Sequence, residues 1–285
     1  MKSLKTKPYL ILLAPGLLFL VLPFYAWVAG VGESFGFEDS PTLAYYSDLF
    51  HSERFLASLG FSLRTSLVAT ILADTIGFLI TRWCYASLTT YAHRLTVWLP
   101  MLFPHFVWGY VVILIVSETG VAAQLLEQWG WISSEAFPVL TRDQHGIGII
   151  LTYVWKEVPF VILMLYPVYA TMSNELKDVV ATVGGGRFQQ FKTVEWPNIL
   201  PTLFETSLII FSFTLTAYEV PALLGTTFPE MVSVLSYQWF YSSDWDERHL
   251  AFAAMALFSM IILFVTLIGY LFLNKRRWLM TKGQS

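Results

Sequence analysis

Six stretches of about twenty predominantly apolar residues dominate this chain and leave it little choice of solvent. At a rise of about 1.5 Å per residue, such a stretch crosses a hydrocarbon core of roughly 30 Å as a helix. The stretches are residues 9–28, 62–80, 95–117, 147–172, 200–224 and 250–273. Lipid offers the backbone no hydrogen-bond partners, so each must be helical to satisfy its own amides. Composition agrees: hydrophobic residues make up 56% of the 285 and charged residues 13%, about half the share of a soluble domain. The pattern predicts an all-α polytopic membrane protein, one membrane domain over residues 1–285 with six transmembrane helices. The first stretch also raises the possibility of a signal peptide. It outruns the 7–15 residues of roughly that class of apolar region and continues through Tyr25 and Trp27 without a small-residue cleavage site, so an anchor is the reading.

Lysine and arginine in short connections orient membrane helices, collecting on the cytoplasmic side. Lys2, Lys5, Lys7, Arg82, Arg94, Lys177, Arg187, Lys192, Lys275, Arg276, Arg277 and Lys282 fall on one side, against Arg54, Arg142 and Arg248 on the other. Both termini are therefore expected in the cytoplasm. Acidic residues show the reverse bias, with Glu33, Glu38, Asp39, Asp48 and Glu53 in the first outer connection and Asp244, Asp246 and Glu247 in the third. The outer connections, about residues 29–61, 118–146 and 225–249, have room for short surface helices.

Catalytic signatures are missing. The chain has no H-E-x-x-H zinc helix, no G-x-S-x-G elbow and no phosphate-binding G-x-x-x-x-G-K-[ST] loop. Gly30-Val31-Gly32-Glu33-Ser34-Phe35 starts like a dinucleotide fingerprint and fails at the third glycine. The net charge of −3 argues against a nucleic-acid partner. Cys84, the single cysteine, excludes an internal disulfide and is expected as a reduced thiol near the cytoplasmic end of the second span. The histidines are scattered, and His105, beside Pro104 in the third span, reads as a packing or hydrogen-bonding residue ahead of a ligand. No metal site is expected.

The segment from Ser173 to Pro201 is the longest inner connection. Asn174 is a candidate cap for a helix that carries Glu175 and Asp178 in its first turn, where the helix dipole favours acids. Gly184-Gly185-Gly186 should end it, since glycine accepts the left-handed conformation of many helix ends. Phe188, Phe191 and Val194 then recur every third residue, with Arg187, Gln189, Gln190 and Lys192 on the other face, and Pro197 and Pro201 precede the fifth span. This predicts a helix–turn–helix on the membrane surface with an apolar ridge open to a partner.

Glu175-Leu176-Lys177-Asp178-Val179-Val180, Gly184, Phe188-Gln189-Gln190-Phe191, Val194 and the Pro197, Pro201 pair resemble the EAA loop of permease subunits in binding-protein-dependent ABC importers. Asp178-Val179-Val180 stands where that family has E-A-A, and Val183-Gly184-Gly185 where it has D-G-A. Ser62-Leu63-Arg64-Thr65, Pro100 with Pro104, and Val154-Trp155-Lys156-Glu157-Val158-Pro159-Phe160 are similar to the family's second, third and fourth helices, so the resemblance covers about residues 60–273. It implies the MetI-like fold of type I importers and a multi-pass subunit of the cell inner or plasma membrane. It implies partners: a second permease subunit, two cytoplasmic ATPase subunits and an extracytoplasmic solute-binding protein. No cofactor is then bound by this chain, ATP and Mg belonging to the ATPase subunits. Glu175, Asp178, Gly184, Gly185, Phe188, Phe191, Lys192 and Pro197, within residues 173–201, would form the ATPase-coupling loop.

Ionisable groups inside spans are costly and generally face a cavity or a protein partner. Asp74 lies in the second span, and Lys156 and Glu157 in the fourth, about 100° apart and not required to pair. Glu205, Ser212 and Glu219 recur every seven residues in the fifth span, with Thr216 nearby, and Ser62, Ser66, Thr70 and Asp74 form a stripe on the second. Helix–helix packing explains the hydroxyls. Asp74, Trp155, Glu157, Ser212, Tyr218 and Glu219 are the candidate pathway residues, with Tyr153 an aromatic neighbour. A carboxylate at Glu219 favours a small organic cation such as a polyamine as cargo. Sugar, iron complexes or phosphonates are the alternative cargoes. An ion-coupled secondary transporter using Asp74, Glu157 and Glu219 is the second class of function, and a membrane enzyme the third.

Overall fold

The computed structural model of the chain describes residues 8–37, 40–133 and 136–282. Among these residues the structure is helical: α1 Pro8–Ser34, α2 Ala44–His51, α3 Glu53–Cys84, α4 Tyr91–Trp98, α5 His105–Val116, α6 Val121–Gln128, α7 Ile147–Thr171, α8 Asn174–Thr182, α9 Arg187–Gln190, α10 Trp196–Thr216, α11 Glu219–Leu224, α12 Val232–Phe240 and α13 Trp245–Lys282. Six helical stretches are long and apolar enough to cross a membrane. Helices α2 and α12 fall in the first and third of the connections expected outside, whereas the third candidate span, His105–Gln128, runs on through α6. Lys2, Lys5, Lys7, Glu38 and Asp39, invoked above for orientation, lie outside the described residues, as do the side chains of Lys275, Arg276, Arg277 and Lys282.

Two spans differ from the periodicity in kind. The third, expected unbroken over residues 95–117, is α4, a tight turn at Leu99–Leu102, an extended Phe103 and then α5. Proline disfavours the helical conformation of the residue before it, and Pro104 places Phe103 at φ −97°, ψ 141°. The fifth, expected over 200–224, ends at Thr216. Ala217 turns to ψ 137° and α11 restarts at Glu219. A continuing helix would carry the amide of residue 221 to the Ala217 carbonyl, but residue 221 is proline and has no N–H. Ser233 Oγ donates to that carbonyl instead, at 2.8 Å. The second and sixth spans are longer than expected, beginning at Glu53 and Trp245.

The described residues divide into two compact units, those within 54–234 with 261–282, and those within 8–53 with 235–260. In the larger unit α7 is the central helix, packed on α5, α10 and α11. One core gathers Phe61, Ala69, Ile149, Tyr153, Val220 and Leu224, and a second Ala73, Val161, Leu165, Tyr169, Ile199 and Ile210. Small residues let α3 approach α7: a Cβ at Gly77 would stand 2.6 Å from Val161 Cβ. Ser62, Ser66 and Thr70 are buried. Ser62 and Thr70 bond the carbonyls four residues back, and Ser62 Oγ also accepts the amide of Val232 at 2.8 Å. This hydroxyl stripe packs helices. In the smaller unit, Trp27 Nε1 donates to Ser259 Oγ at 3.1 Å, and the His249 ring stacks on Tyr45 at 4.7 Å. The apolar side chains of α1 from Leu12 to Val28 are mostly exposed, as a lipid-facing helix requires.

Candidate functional site: the inner loop and the polar span residues

The connection between the fourth and fifth spans is an ordered hairpin. Ser173, not Asn174, caps α8: its hydroxyl accepts the Glu175 amide at 3.2 Å, and Asn174 is the first helical residue. At the other end Gly184 sits at φ +82°. The Gly184 amide donates to Ala181 O at 2.9 Å and the Gly185 amide to Val180 O at 2.8 Å, the paired bonds of a Schellman end. Gly185 has no room for a side chain, since a Cβ would lie 2.5 Å from Val180 Cγ1. The break expected at the glycines is therefore present, and Gly184 sits at its left-handed residue.

Beyond it, α9 runs through a widened turn, Phe191–Glu195, into α10 without a stop at Pro197. In that turn the Trp196 amide reaches Phe191 O, five residues back. Pro197 falls in the first turn of α10, where a missing N–H costs nothing, and Pro201 lies inside the helix. The prolines shape this helix rather than interrupting it.

The apolar ridge is redistributed. Phe188 is exposed, but Phe191 turns inward, 6.2 Å from the Phe78 ring and 5.8 Å from Trp196, with the Arg82 guanidinium 4.5 Å over its face. Val194 is buried. The outward apolar residues of the hairpin are instead Leu176, Val179, Val183 and Phe188. Leu176, Val179 and Val183 follow helical spacing, a signal present in the sequence and overshadowed by the phenylalanines. Glu175, Asp178 and Lys192 are exposed.

Glu195 is the residue that sequence reasoning missed. It is buried, and its Oε2 accepts Arg82 Nε at 2.9 Å while Oε1 lies 3.3 Å from Lys177 Nζ. One carboxylate thus ties the hairpin's first helix and the end of α3 to the start of α10. The available hint was an acid set between the apolar Val194 and Trp196.

The polar span residues do not form one site. Lys156 Nζ donates to Pro100 O at 2.8 Å and to Phe103 O at 2.5 Å, the carbonyls exposed by the break in the third span. Trp108 Nε1 donates to the same Pro100 oxygen at 2.9 Å. Glu157 pairs with His105, Oε1 to Nε2 at 3.1 Å, beside a cavity of about 250 Å³ that Met101, Phe160 and Phe213 also line. Lys156 and Glu157 thus take separate partners. Asp74 Oδ2 accepts the Ser207 hydroxyl at 2.6 Å, linking α3 to α10, and its Oδ1 has no hydrogen-bond partner. Trp155 is exposed, its ring 5.5 Å from Trp108. The break at Ala217 removes Glu219 from the helical face that carries Glu205 and Ser212. Glu219 is exposed in the first turn of α11, next to the exposed Tyr218, while Ser212 is half-buried in α10.

Lipid is a poor host for Lys156, Glu157 and Asp74, and each takes a protein partner inside the bundle. The family model described as "Binding-protein-dependent transport system inner membrane component" matches residues 75–279, and the chain belongs to that family, the permease subunits of ABC importers. It is 23% identical over 218 residues to the molybdenum transport system permease of Azotobacter vinelandii, covering 75% of this chain and 93% of that one. It is 24% identical over 230 residues to a chain of Prototheca wickerhamii described as a probable sulfate transport system permease, covering 78% and 85%. In fold it is similar to a chain of a bacterial ABC transporter for alginate import, with TM-score 0.75, 19% identity and 94% of each chain covered. The methionine transporter MetNI in an inward-facing form gives TM-score 0.54 at 14% identity, covering 79% of this chain and 99% of that one.

Proposed function

We propose that this chain is one half of a translocation pathway and works with three kinds of partner. A second permease, identical or homologous, completes the pathway, an extracytoplasmic binding protein delivers the solute, and two cytoplasmic ATPase subunits bind ATP and Mg and drive the cycle. The supporting observation is the hairpin of residues 173–195, glycine-ended, apolar outside at Leu176, Val179, Val183 and Phe188, and anchored inside by Glu195. An exposed apolar stripe on a rigid base suits a docking surface. In alternating access, closure of the ATPase dimer moves the hairpin as a lever and the spans reorient outward, and hydrolysis restores the inward state.

In this reading the hairpin and both termini are cytoplasmic. Single cysteines at Gln189 and Asp244 in a Cys84→Ser background test it with a membrane-impermeant thiol reagent on sealed cells. Asp244→Cys is expected to label and Gln189→Cys to stay silent, and the opposite pattern reverses the orientation.

For cargo we propose a small organic cation of polyamine type. Glu219 is exposed, and no hydrogen-bond donor or cation partners its carboxylate among the described residues. The Lys156 ammonium is occupied by two carbonyls. Relatives named for molybdenum, sulfate and ferric transport and for diacetylchitobiose uptake favour inorganic ions or a sugar as the second reading. The test is ATP-dependent uptake in proteoliposomes of the assembled complex. Glu219→Gln, which keeps shape and removes charge, is expected to lower cation uptake about tenfold, equivalent to about 1.4 kcal/mol, with assembly unchanged. Normal cation uptake in Glu219→Gln together with failure in Glu219→Leu makes the residue a packing element and removes the cation assignment.

A further inference from the structure

At the hairpin-side ends of α3 and α7 lies a cavity of about 480 Å³ whose wall includes Arg82, Lys177, Arg187, Glu195, Tyr169 and Trp83. Three cations face a single carboxylate there. Glu195 takes one contact from Arg82 and one from Lys177, whose ammonium has three donors to give. Arg187 is exposed and has no acidic partner among the described residues. Tyr169 is 3% exposed, and its hydroxyl has no hydrogen-bond partner, although buried polar atoms are almost always satisfied. Trp83, at the end of α3, is largely exposed, and tryptophan at a span end belongs at the level of lipid headgroups.

Surplus positive charge, an arginine fork and an unsatisfied hydroxyl in one cavity are the complement of a tetrahedral oxyanion. We infer that this cavity binds a phosphate-bearing anion, held by Arg187, Lys177 and the Tyr169 hydroxyl. Two sources carry that chemistry, the headgroup of an anionic phospholipid and soluble phosphate. Of the outward stripe only Phe188 lines the cavity, Leu176, Val179 and Val183 lying outside it, and the site depends on neither the cargo nor the direction of transport.

The permease, alone and assembled with its ATPase subunits, is placed in nanodiscs of phosphatidylcholine with and without phosphatidylglycerol. Native mass spectrometry then counts the lipids retained on release, and inorganic phosphate is titrated against the same samples. Phosphatidylglycerol, or phosphate in its place, is expected to bind selectively. Arg187→Gln and Tyr169→Phe are each expected to weaken that binding about tenfold, the loss for one hydrogen bond to a charged group. Neither variant touches the partners of Glu195, and unchanged thermal melting establishes that both are folded. Phosphatidylglycerol that resists phosphate supports the headgroup as the source, and displacement by phosphate supports the soluble ion. Three results overturn the proposal: no selective binding of either, binding unchanged in either variant, or binding that vanishes when the ATPase subunits join and so assigns the cavity to them.

Discussion

In the Gly184→Val chain, ATP hydrolysis is expected to continue while solute uptake falls about tenfold and less ATPase copurifies. Gly184 ends α8 at φ +82°, and a β-branched residue there costs about 1–2 kcal/mol or more of backbone strain, where 1.4 is a factor of ten. Nothing lies within 4 Å of a Cβ at this position, so the penalty is confined to the turn and membrane insertion should be untouched. Gly186→Ala is the control: its φ of −76° suits any residue and its surroundings are open. Uptake and hydrolysis are measured side by side in proteoliposomes of the complex. Normal coupling in Gly184→Val would show that the turn's geometry is not used in transmission.

Glu195→Gln should separate the hairpin from the span that it follows. The glutamate is buried between Arg82 and Lys177, and losing its charge leaves two cations facing a neutral amide. Breaking a fully buried pair costs about 3–5 kcal/mol. The Arg82 side chain is 30% exposed, so water recovers part of this, and about 2 kcal/mol is the expectation here. Hydrogen exchange over residues 174–195 should rise at least tenfold, with uptake falling in parallel and the six spans unaffected. The charge-exchanged pair Arg82→Glu with Glu195→Arg should restore part of the protection, as coupled neighbours do in a double-mutant cycle. Unchanged exchange in Glu195→Gln would sink the tether, leaving the hairpin held by its aromatic contacts alone.

The spans could be read from residue order because length and hydrophobicity decide them: the fourth, expected at 147–172, runs Ile147–Thr171. The glycine turn was equally legible, since one residue type serves a left-handed helix end. What periodicity missed were features set by residues distant in sequence. Pro104 announces the break in the third span locally, but not that Lys156 arrives from α7, fifty-odd residues away, to cover Pro100 O and Phe103 O. Glu195 finds Arg82 only across 113 positions. The seven-residue spacing of Glu205, Ser212 and Glu219 assumed a helix that stops at Thr216, so the shared face disappeared with it. Phe188 and Phe191, equivalent in the pattern, separate because Arg82 and Phe78 draw one of them inward.

The carbonyl of Ala217 carries a further implication, for descent. It is left open because Pro221 brings no amide, and it is closed by a hydroxyl at Ser233. The dependence runs one way: a proline without the hydroxyl strands a backbone acceptor, whereas without the proline the carbonyl's two lone pairs can take an amide and the hydroxyl together. Lineages that lose the proline at 221 are thereby released from keeping a hydroxyl at 233, and those that retain it are not. Proline at 221 without a hydroxyl at 233 is then the combination that ancestral reconstruction along this family is expected to find rarest.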